Sequence, residues 1–179
     1  MFEPPHDLPP EPGWTALEPL GSRHGDRSFV RNDGSDDRLR VRYFRREGDS
    51  TLVGKIWFGP ATQGPPAHAH GGSMASVLDD AMGICAWMGG HMVVAAEIRI
   101  RFRNLLPIGT VALLEASVTE VDGKRVRTRA ELCSSDGTRF ATGEGLFVHL
   151  GPERFGALAD KARDQGLRSA RGGGSKGEG

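Results

Sequence analysis

Residues 70–88 read HGGSMASVLDDAMGICAWM, and from Gly72 to about Met88 the stretch is apolar on nearly every helical face. A helix that is apolar all round lies inside a protein, whereas a surface helix carries a single apolar stripe. The segment therefore predicts a buried helix. We expect this helix to end at the glycine pair that occupies positions 89 and 90.

Alternating apolar and polar residues on both sides of this helix predict β-strands. Two predicted strands precede the helix and four follow it, with Asp-Gly pairs at 122–123 and 136–137 that are typical of tight hairpin turns. Hairpin-linked strands and one segregated helix predict an α+β fold, in which an antiparallel sheet of about six strands wraps around the long central helix. The predicted strands cover residues 39–44, 52–58, 93–105, 110–121, 124–134 and 139–150.

The remaining segments define the domain boundaries. Residues 1–36 are rich in proline, glycine and charged side chains, and predict an irregular N-terminal lead-in with a short helix or turn around residues 14–20. The folded domain is expected at residues 37–151, followed by a short amphipathic helix at 152–166. The glycine-rich residues 167–179 predict a flexible tail, because they carry too little apolar mass to fold.

Composition argues against several classes of function. The 23 basic and 23 acidic side chains balance, so neither nucleic acid nor an anionic membrane is an expected partner. The N-terminus lacks the features of a signal peptide, and no apolar run approaches the roughly 20 residues of a membrane-spanning helix. The two cysteines, Cys85 and Cys133, lack zinc-site spacing. We expect a cytoplasmic protein without a metal or another cofactor.

The predicted sheet is larger than one helix can cover. Pairing of edge strands between two copies would extend the sheet and bury the uncovered part. The sequence therefore predicts a homodimer, and a tetramer is an open alternative.

Two carboxylates, Asp79 and Asp80, interrupt the otherwise apolar helix. A buried carboxylate is costly unless it is paired or hydrogen-bonded, so one that is retained is a candidate for function. Asp79 has mostly small neighbours one turn away, including Ser76 and Gly83, which would leave room for a substrate. Spacing alone leaves open which of the two is functional, and whether either is a structural aspartate bonded to the backbone or to an arginine.

Gly71 and Gly72 open the predicted helix. Free amides at a helix N-terminus point outward at the positive end of the helix dipole and can hold an oxyanion. An ordinary glycine-rich helix entry is the alternative. His68 and His70 could bind a metal only with a further ligand at suitable spacing, which the sequence does not offer.

The segment GPPAHAHGGSMASVLDDAMG, residues 64–83, resembles the signature of hotdog-fold acyl-CoA thioesterases, in particular the phenylacetyl-CoA-thioesterase-like (PaaI-like) branch. Members of that family carry an HGG motif at the start of the central helix and an aspartate nine residues after its histidine. Here that aspartate is Asp79. The resemblance continues through VVAAE (93–97), RFR (101–103), LPIGT (106–110) and EGLFV (144–148).

The resemblance implies hydrolysis of acyl-CoA thioesters to the free acid and CoA, in a pocket formed between two protomers. Asp79 would be the nucleophile or the general base, the Gly71 amide would be the oxyanion donor, and His70 would orient the helix entry or touch the thioester. Gly72 and Gly83 would line the pocket. Gln63 or Ser76 would position a water, and Arg101 and Arg103 would contact CoA phosphates unless they belong to a solvated outer face.

A hotdog protein that binds acyl-CoA or a related apolar ligand without turnover is the alternative reading. It follows from two departures from the family pattern. Many members have an Asn or Gln six residues before the motif histidine, where this chain has Gly64. Some relatives have a Ser or Thr early in the first strand after the helix, where this chain has Ala95.

Overall fold

The computed structural model describes residues 3–17, 29–30, 37–49 and 51–164, and within them seven strands and two α-helices are defined. A short 3₁₀ helix, Pro60–Thr62, precedes the first α-helix. The strands are β1 (Trp14–Ala16), β2 (Leu39–Arg46), β3 (Leu52–Phe58), β4 (Val93–Phe102), β5 (Val111–Asp122), β6 (Arg125–Cys133) and β7 (Arg139–His149). The α-helices are α1 (Gly71–Met88) and α2 (Pro152–Asp164).

The strands form one antiparallel sheet in the order β1-β2-β3-β5-β6-β7-β4, so β1 and β4 are its edges. The predicted antiparallel sheet around a central helix is confirmed, with seven strands rather than six. The additional strand lies where we expected a short helix or turn: Trp14–Ala16 pairs with the edge of β2. The Trp14 ring packs on Phe44 with 5.7 Å between centroids, which holds the segment extended. Residues 18–20 of that expected turn lie outside the described ranges.

The N-terminal segment before β1 packs on the face of the sheet opposite α1, here called the outer face. Leu8 is buried, and Glu11 forms an ion pair with Lys55 of β3 at 2.5 Å. Gly54 and Ile56, on either side of Lys55, face the core. Because side chains alternate along a strand, Lys55 and its ion pair with Glu11 lie on the outer face. The part of the lead-in that contains Leu8 and Glu11 is therefore packed on the sheet. The predicted tail, residues 167–179, lies outside the described ranges.

Helix α1 is buried against the inner face of the sheet, as its sequence predicts. Val77, Leu78, Ala81 and Met82 have no exposed surface. Two glycines of β7 allow the close approach. A Cβ atom at Gly143 would lie 3.2 Å from the Met82 methyl carbon Cε, and one at Gly145 would lie 3.1 Å from the Met82 sulfur. The sheet therefore has small residues where the helix passes over it.

Contacts at its two sides show how α1 is oriented. A Cβ atom at Gly71 would lie 3.1 Å from the ring of Phe102 in β4, and one at Gly83 would lie 3.5 Å from the ring of Phe147 in β7. On the other side, the Tyr43 hydroxyl of β2 donates a hydrogen bond to Asp80. The row of residues four apart that runs from Gly71 to Gly83, named here the β4 flank, contacts the edge strand β4 at Gly71 and its neighbour β7 at Gly83. The side that carries Asp80, the β2 flank, contacts β2 at Tyr43.

Candidate active site

The start of α1 leaves one backbone amide available. His70 is the N-cap, and its Nδ1 accepts a hydrogen bond from the Gly72 amide at 2.8 Å. The Ser73 amide donates to the His70 carbonyl oxygen at 3.0 Å. Within the described residues the Gly71 amide has no acceptor. Of the two glycine amides that the sequence offers as oxyanion donors, Gly71 is therefore the free one.

The Phe102 ring forms a wall beside this amide. Its nearest atoms are 3.1–3.5 Å from the position of a Cβ on Gly71, so a side chain at residue 71 would press against the ring. Phe102 is nevertheless 53% exposed, because β4 is an edge strand. The Gly71 amide is thus bordered by an aromatic surface that is open on its other side.

The two aspartates of α1 differ in their partners. Asp80 accepts a hydrogen bond from the Tyr43 hydroxyl at 3.0 Å, so it has a structural role between α1 and β2. Within the described part of the chain, Asp79 has no hydrogen-bond donor and no ion-pair partner. Burial raises the pKa of the Asp79 carboxyl above its ordinary value. Asp79 is therefore a half-buried carboxylate that its own protomer does not satisfy.

Asp79 lies on the β4 flank of α1. It is four residues before Gly83 and four after Ala75, and residues four apart share a helix face. At about 1.5 Å per residue, eight residues place Asp79 about 12 Å along the helix axis from Gly71. Between them, at the same four-residue spacing, lies the small residue Ala75.

Three further predicted residues cluster near the helix entry. The Gly72 amide is occupied by His70, and the Ser76 hydroxyl donates to the Ser73 carbonyl oxygen at 3.0 Å. Gln63 is exposed and forms an isolated β-bridge with Ala69. Among the described residues, neither Ser76 nor Gln63 forms a hydrogen bond with Asp79.

The arginines lie away from this region. Arg101 forms an ion pair with Glu144 at 2.8 Å. It alternates with Ile100 and Phe102, which stand on the helix side of β4, so Arg101 stands on the outer face. Arg103 follows the end of β4, and its amide donates to the Phe140 carbonyl oxygen. The structure does not bring Arg101 together with Asp79, and the predicted contacts of both arginines with phosphates stay predictions.

The departure from the family pattern at Gly64 has a local cause. A Cβ atom at Gly64 would lie 2.7 Å from His70 Cα and 2.9 Å from His70 Cβ, so no side chain fits on this backbone. The Gly64 amide donates to the His68 carbonyl oxygen, and the His70 amide donates to the Thr62 carbonyl oxygen, which closes the loop. At position 64 the chain therefore has a tight backbone loop with no room for a polar side chain.

Sequence reasoning missed three aromatic residues of this region: Tyr43, Phe102 and Phe147. Each lies on the inner side of its strand, so strand alternation could have placed them toward the helix. Alternation does not indicate which helical residue each one meets. In the described ranges, no three His, Cys, Asp or Glu side chains are close enough to hold a metal ion. None of the helices described here is long and apolar enough to cross a membrane.

Comparisons with known proteins agree with this architecture. A family model described as Thioesterase superfamily matches residues 67–141. The acyl-coenzyme A thioesterase THEM4 of Bos taurus is 30% identical over 124 residues, which are 68% of this chain and 51% of that protein. The chain thus spans about half the length of this curated relative.

Solved structures show the same likeness. The thioesterase superfamily protein RHA08564 is 30% identical with a TM-score of 0.58, over 60% of this chain and 53% of that chain. The PaaI protein of E. coli is 17% identical with a TM-score of 0.56, over 63% of this chain and 80% of that chain, which is a likeness of fold alone. The PaaI-like branch therefore stays a prediction. Residues 67–141 therefore match the thioesterase superfamily, and the antiparallel sheet around α1 has the hotdog fold of these relatives.

Proposed function

We propose that the protein is an acyl-CoA thioesterase, in which Asp79 acts as nucleophile or general base and the Gly71 amide binds the oxyanion. The observation that carries the proposal is the contrast between the aspartates: Asp80 is bonded to Tyr43, whereas Asp79 is half-buried with a raised pKa and no partner among the described residues. A carboxylate kept in that state is a candidate for chemistry. The name of the Bos taurus relative, an acyl-coenzyme A thioesterase, supports the reaction class.

The reaction consumes water and an acyl-CoA and yields a carboxylic acid and CoA. In one form, the Asp79 carboxylate removes a proton from water as the water oxygen attacks the thioester carbon. In the other, the carboxylate itself attacks, and the resulting anhydride is hydrolysed by water. In both forms the carbonyl oxygen becomes negative, and the Gly71 N–H at the positive end of the α1 dipole stabilises it. The C–S bond then breaks and the sulfur leaves as the CoA thiolate, which takes up a proton.

Gly71 and Asp79 of one protomer are too far apart to act on one carbonyl group. The carbonyl oxygen must lie about 3 Å from the amide nitrogen, and the carbonyl carbon about 3 Å from the attacking atom. The amide nitrogen and the attacking atom should therefore be about 6 Å apart. Their separation along α1 is about 12 Å. We therefore propose that each site combines Gly71 of one protomer with the equivalent of Asp79 from a second copy.

The edge strand β4 is the proposed surface for this pairing. It exposes large apolar side chains: Val94 is 42%, Ile98 40% and Phe102 53% exposed. This edge strand has ten residues, and its outer N–H and C=O groups are unpaired within the sheet. An exposed strand of this kind tends to pair with a strand of another chain. The other edge, β1, has only three residues. Pairing at β4 would also bring a second protomer to the β4 flank of α1, where Asp79 lies.

Release of CoA thiol from short, long and aryl acyl-CoA substrates tests the proposal. Asp79→Asn should lower turnover by about 10²- to 10⁴-fold, because a neutral amide neither attacks nor removes a proton. Asp80→Asn is the matched control, since it makes the same change one residue away on the β2 flank. It should keep turnover within about threefold, because an amide oxygen still accepts the Tyr43 hydrogen bond.

A non-catalytic acyl-CoA binder would give a different pattern. The folded wild-type protein would bind acyl-CoA but release no thiol from any member of the panel, and Asp79→Asn would leave its affinity unchanged. Equal losses in the Asp79 and Asp80 variants would also contradict the assigned roles. The acyl group with the highest kcat/KM would name the substrate class.

A further inference from the structure

His68 and His70 present opposite hydrogen-bonding groups just before α1. Nδ1 of His68 lies 2.8 Å from the Pro66 carbonyl oxygen. A carbonyl oxygen only accepts, so Nδ1 carries the proton and Nε2 of the neutral ring presents a lone pair. In His70, Nδ1 accepts the Gly72 amide proton, so Nε2 of the neutral ring carries the proton. One ring therefore offers an acceptor and the other offers a donor.

Both rings stand on the same side of the chain. His68 forms a β-bridge with Pro107, Ala69 forms one with Gln63, and His70 has extended dihedral angles. Side chains two residues apart on an extended segment point to the same side. Ala69, between them, is only 3% exposed and points into the core. His68 is half-buried and His70 is exposed, so both rings border solvent.

The backbone of His68 is held in place at some cost. The His68 amide donates to the Pro65 carbonyl oxygen at 3.0 Å, which closes a turn over Pro66 and Ala67. Ala67 has a φ of 61°, a left-handed conformation that costs a residue with a Cβ roughly 1–2 kcal/mol. Retained backbone strain of this kind clusters at functional positions. The strained residue here is the one immediately before His68.

Exposed apolar side chains belong to the segments that neighbour the two histidines. The Ala69 amide donates to the Leu106 carbonyl oxygen at 2.8 Å, which brings the β4–β5 loop alongside. In that region Phe102 is 53% and Leu105 is 61% exposed. A donor and an acceptor beside an apolar surface match a ligand in which amide groups alternate with methylene groups. The pantetheine arm of CoA has this chemistry.

We propose that His68 is a substrate-binding residue whose Nε2 accepts a hydrogen bond from the first amide N–H of the pantetheine arm. The inference rests on the proposed function, because it starts from a thioester carbonyl bound at Gly71. In an acyl-CoA this amide nitrogen is five bonds from the carbonyl oxygen, about 6 Å when extended. Two residues of extended chain span about 6.6 Å, so His68 reaches that position when His70 and Gly71 border the thioester.

Two substitutions of His68 distinguish the roles of its two ring nitrogens, Nδ1 and Nε2. In His68→Asn the amide group replaces Nδ1 and can still donate to Pro66, but it offers no acceptor at the position of Nε2. In His68→Gln the amide oxygen reaches the Nε2 position. We expect His68→Asn to weaken CoA binding, measured by calorimetry, and to raise KM for acyl-CoA about three- to tenfold with kcat nearly unchanged. His68→Gln should restore both to within about twofold.

An acyl ethanethiol ester, which has no amide, is the matched substrate. Its KM should be the same for the wild-type protein and for His68→Asn. His6, exposed in the N-terminal segment, provides the control substitutions to Asn and Gln, which should change nothing.

The inference is overturned if the wild type does not bind CoA, or if His68→Asn binds CoA as tightly as the wild type. It is also overturned if kcat/KM of His68→Asn falls by the same factor for acyl-CoA and for the acyl ethanethiol ester. CoA binding that weakens in His68→Asn and recovers in His68→Gln supports the inference even if no ester is hydrolysed. In that case the proposed function fails instead.

Discussion

Adjacent aspartates on α1 have different surroundings because successive helical residues are about 100° apart. Asp80 points to the β2 flank and meets the Tyr43 hydroxyl, whereas Asp79 belongs to the β4 flank with Gly83. The burial that raises the Asp79 pKa is not offset by a partner among the described residues. Two chemically identical side chains thus provide one structural contact and one candidate for catalysis.

The raised pKa of Asp79 has a consequence for stability. Asp79→Asn should raise Tm at pH 7, because it removes a charge that burial disfavours in the folded state. The folded pKa exceeds the ordinary value of 3.8, so the wild-type carboxylate destabilises the fold at pH values above the folded pKa. This cost disappears as pH falls below 3.8, where the folded and unfolded states are both protonated.

Thermal unfolding from pH 3 to pH 8 measures this effect. The Tm difference between Asp79→Asn and the wild type should be positive at neutral pH and should shrink toward zero at the acidic end. Asp80→Asn should show no such gain, since its carboxylate already accepts a hydrogen bond. A constant difference across the pH range would show that the Asp79 charge is not its source.

At the scale of elements, the packing of α1 on the sheet depends on glycines in β7. A Cβ atom at Gly145 would lie 2.5 Å from Phe147 Cε2 and 3.1 Å from the Met82 sulfur. Gly143 is in similar contact with Met82 and Ile100. These positions therefore set how close the helix lies to β7, and with it the position of the β4 flank.

Gly145→Val should lower the free energy of unfolding by about 1–3 kcal/mol, because the added methyl groups must displace Phe147 or Met82. Urea unfolding measures the change. Gly156→Ala, in helix α2, is the opposite control: a Cβ there meets nothing within 4 Å, and the helix should gain up to about 1 kcal/mol. An unchanged midpoint in Gly145→Val would mean that the helix is not held at this distance by β7.

For the whole molecule, the proposed dimer places the two groups that we propose for catalysis on different chains. Gly71→Pro removes the amide hydrogen at the first helical position, where proline is tolerated, and Asp79→Asn removes the carboxylate. Each homodimer should be inactive. In a heterodimer, one of the two sites combines Gly71 of the Asp79→Asn chain with Asp79 of the Gly71→Pro chain, so that both groups are present.

Mixing the two variants after subunit exchange should restore about a quarter of wild-type turnover, because half of the dimers are mixed and each has one intact site. Thiol release before and after exchange is the measurement, with unmixed variants carried through the same steps as controls. No recovery in a sample shown to contain heterodimers would place both groups in the same protomer.

Local sequence patterns predicted the succession of strands along the chain, the one buried helix among them and the motif at which that helix begins. These features follow from local periodicity and turn residues, which depend on neighbours a few positions away. Gly71 and Asp79 were also found from spacing and resemblance, although their roles stay proposals. The domain match over residues 67–141 supports the family that the motif predicted.

Only the tertiary structure distinguished the partners of these residues. Tyr43 is 37 positions from Asp80, and Phe102 meets Gly71 across the sheet edge. Likewise, strand β1 forms because Trp14 packs on Phe44 and its segment pairs with the edge of β2. Position 64 requires glycine because the backbone of His70 lies against it. Such contacts join distant parts of the chain, so no local pattern encodes them. They depend on which surfaces the folded sheet brings within a few ångströms of each other.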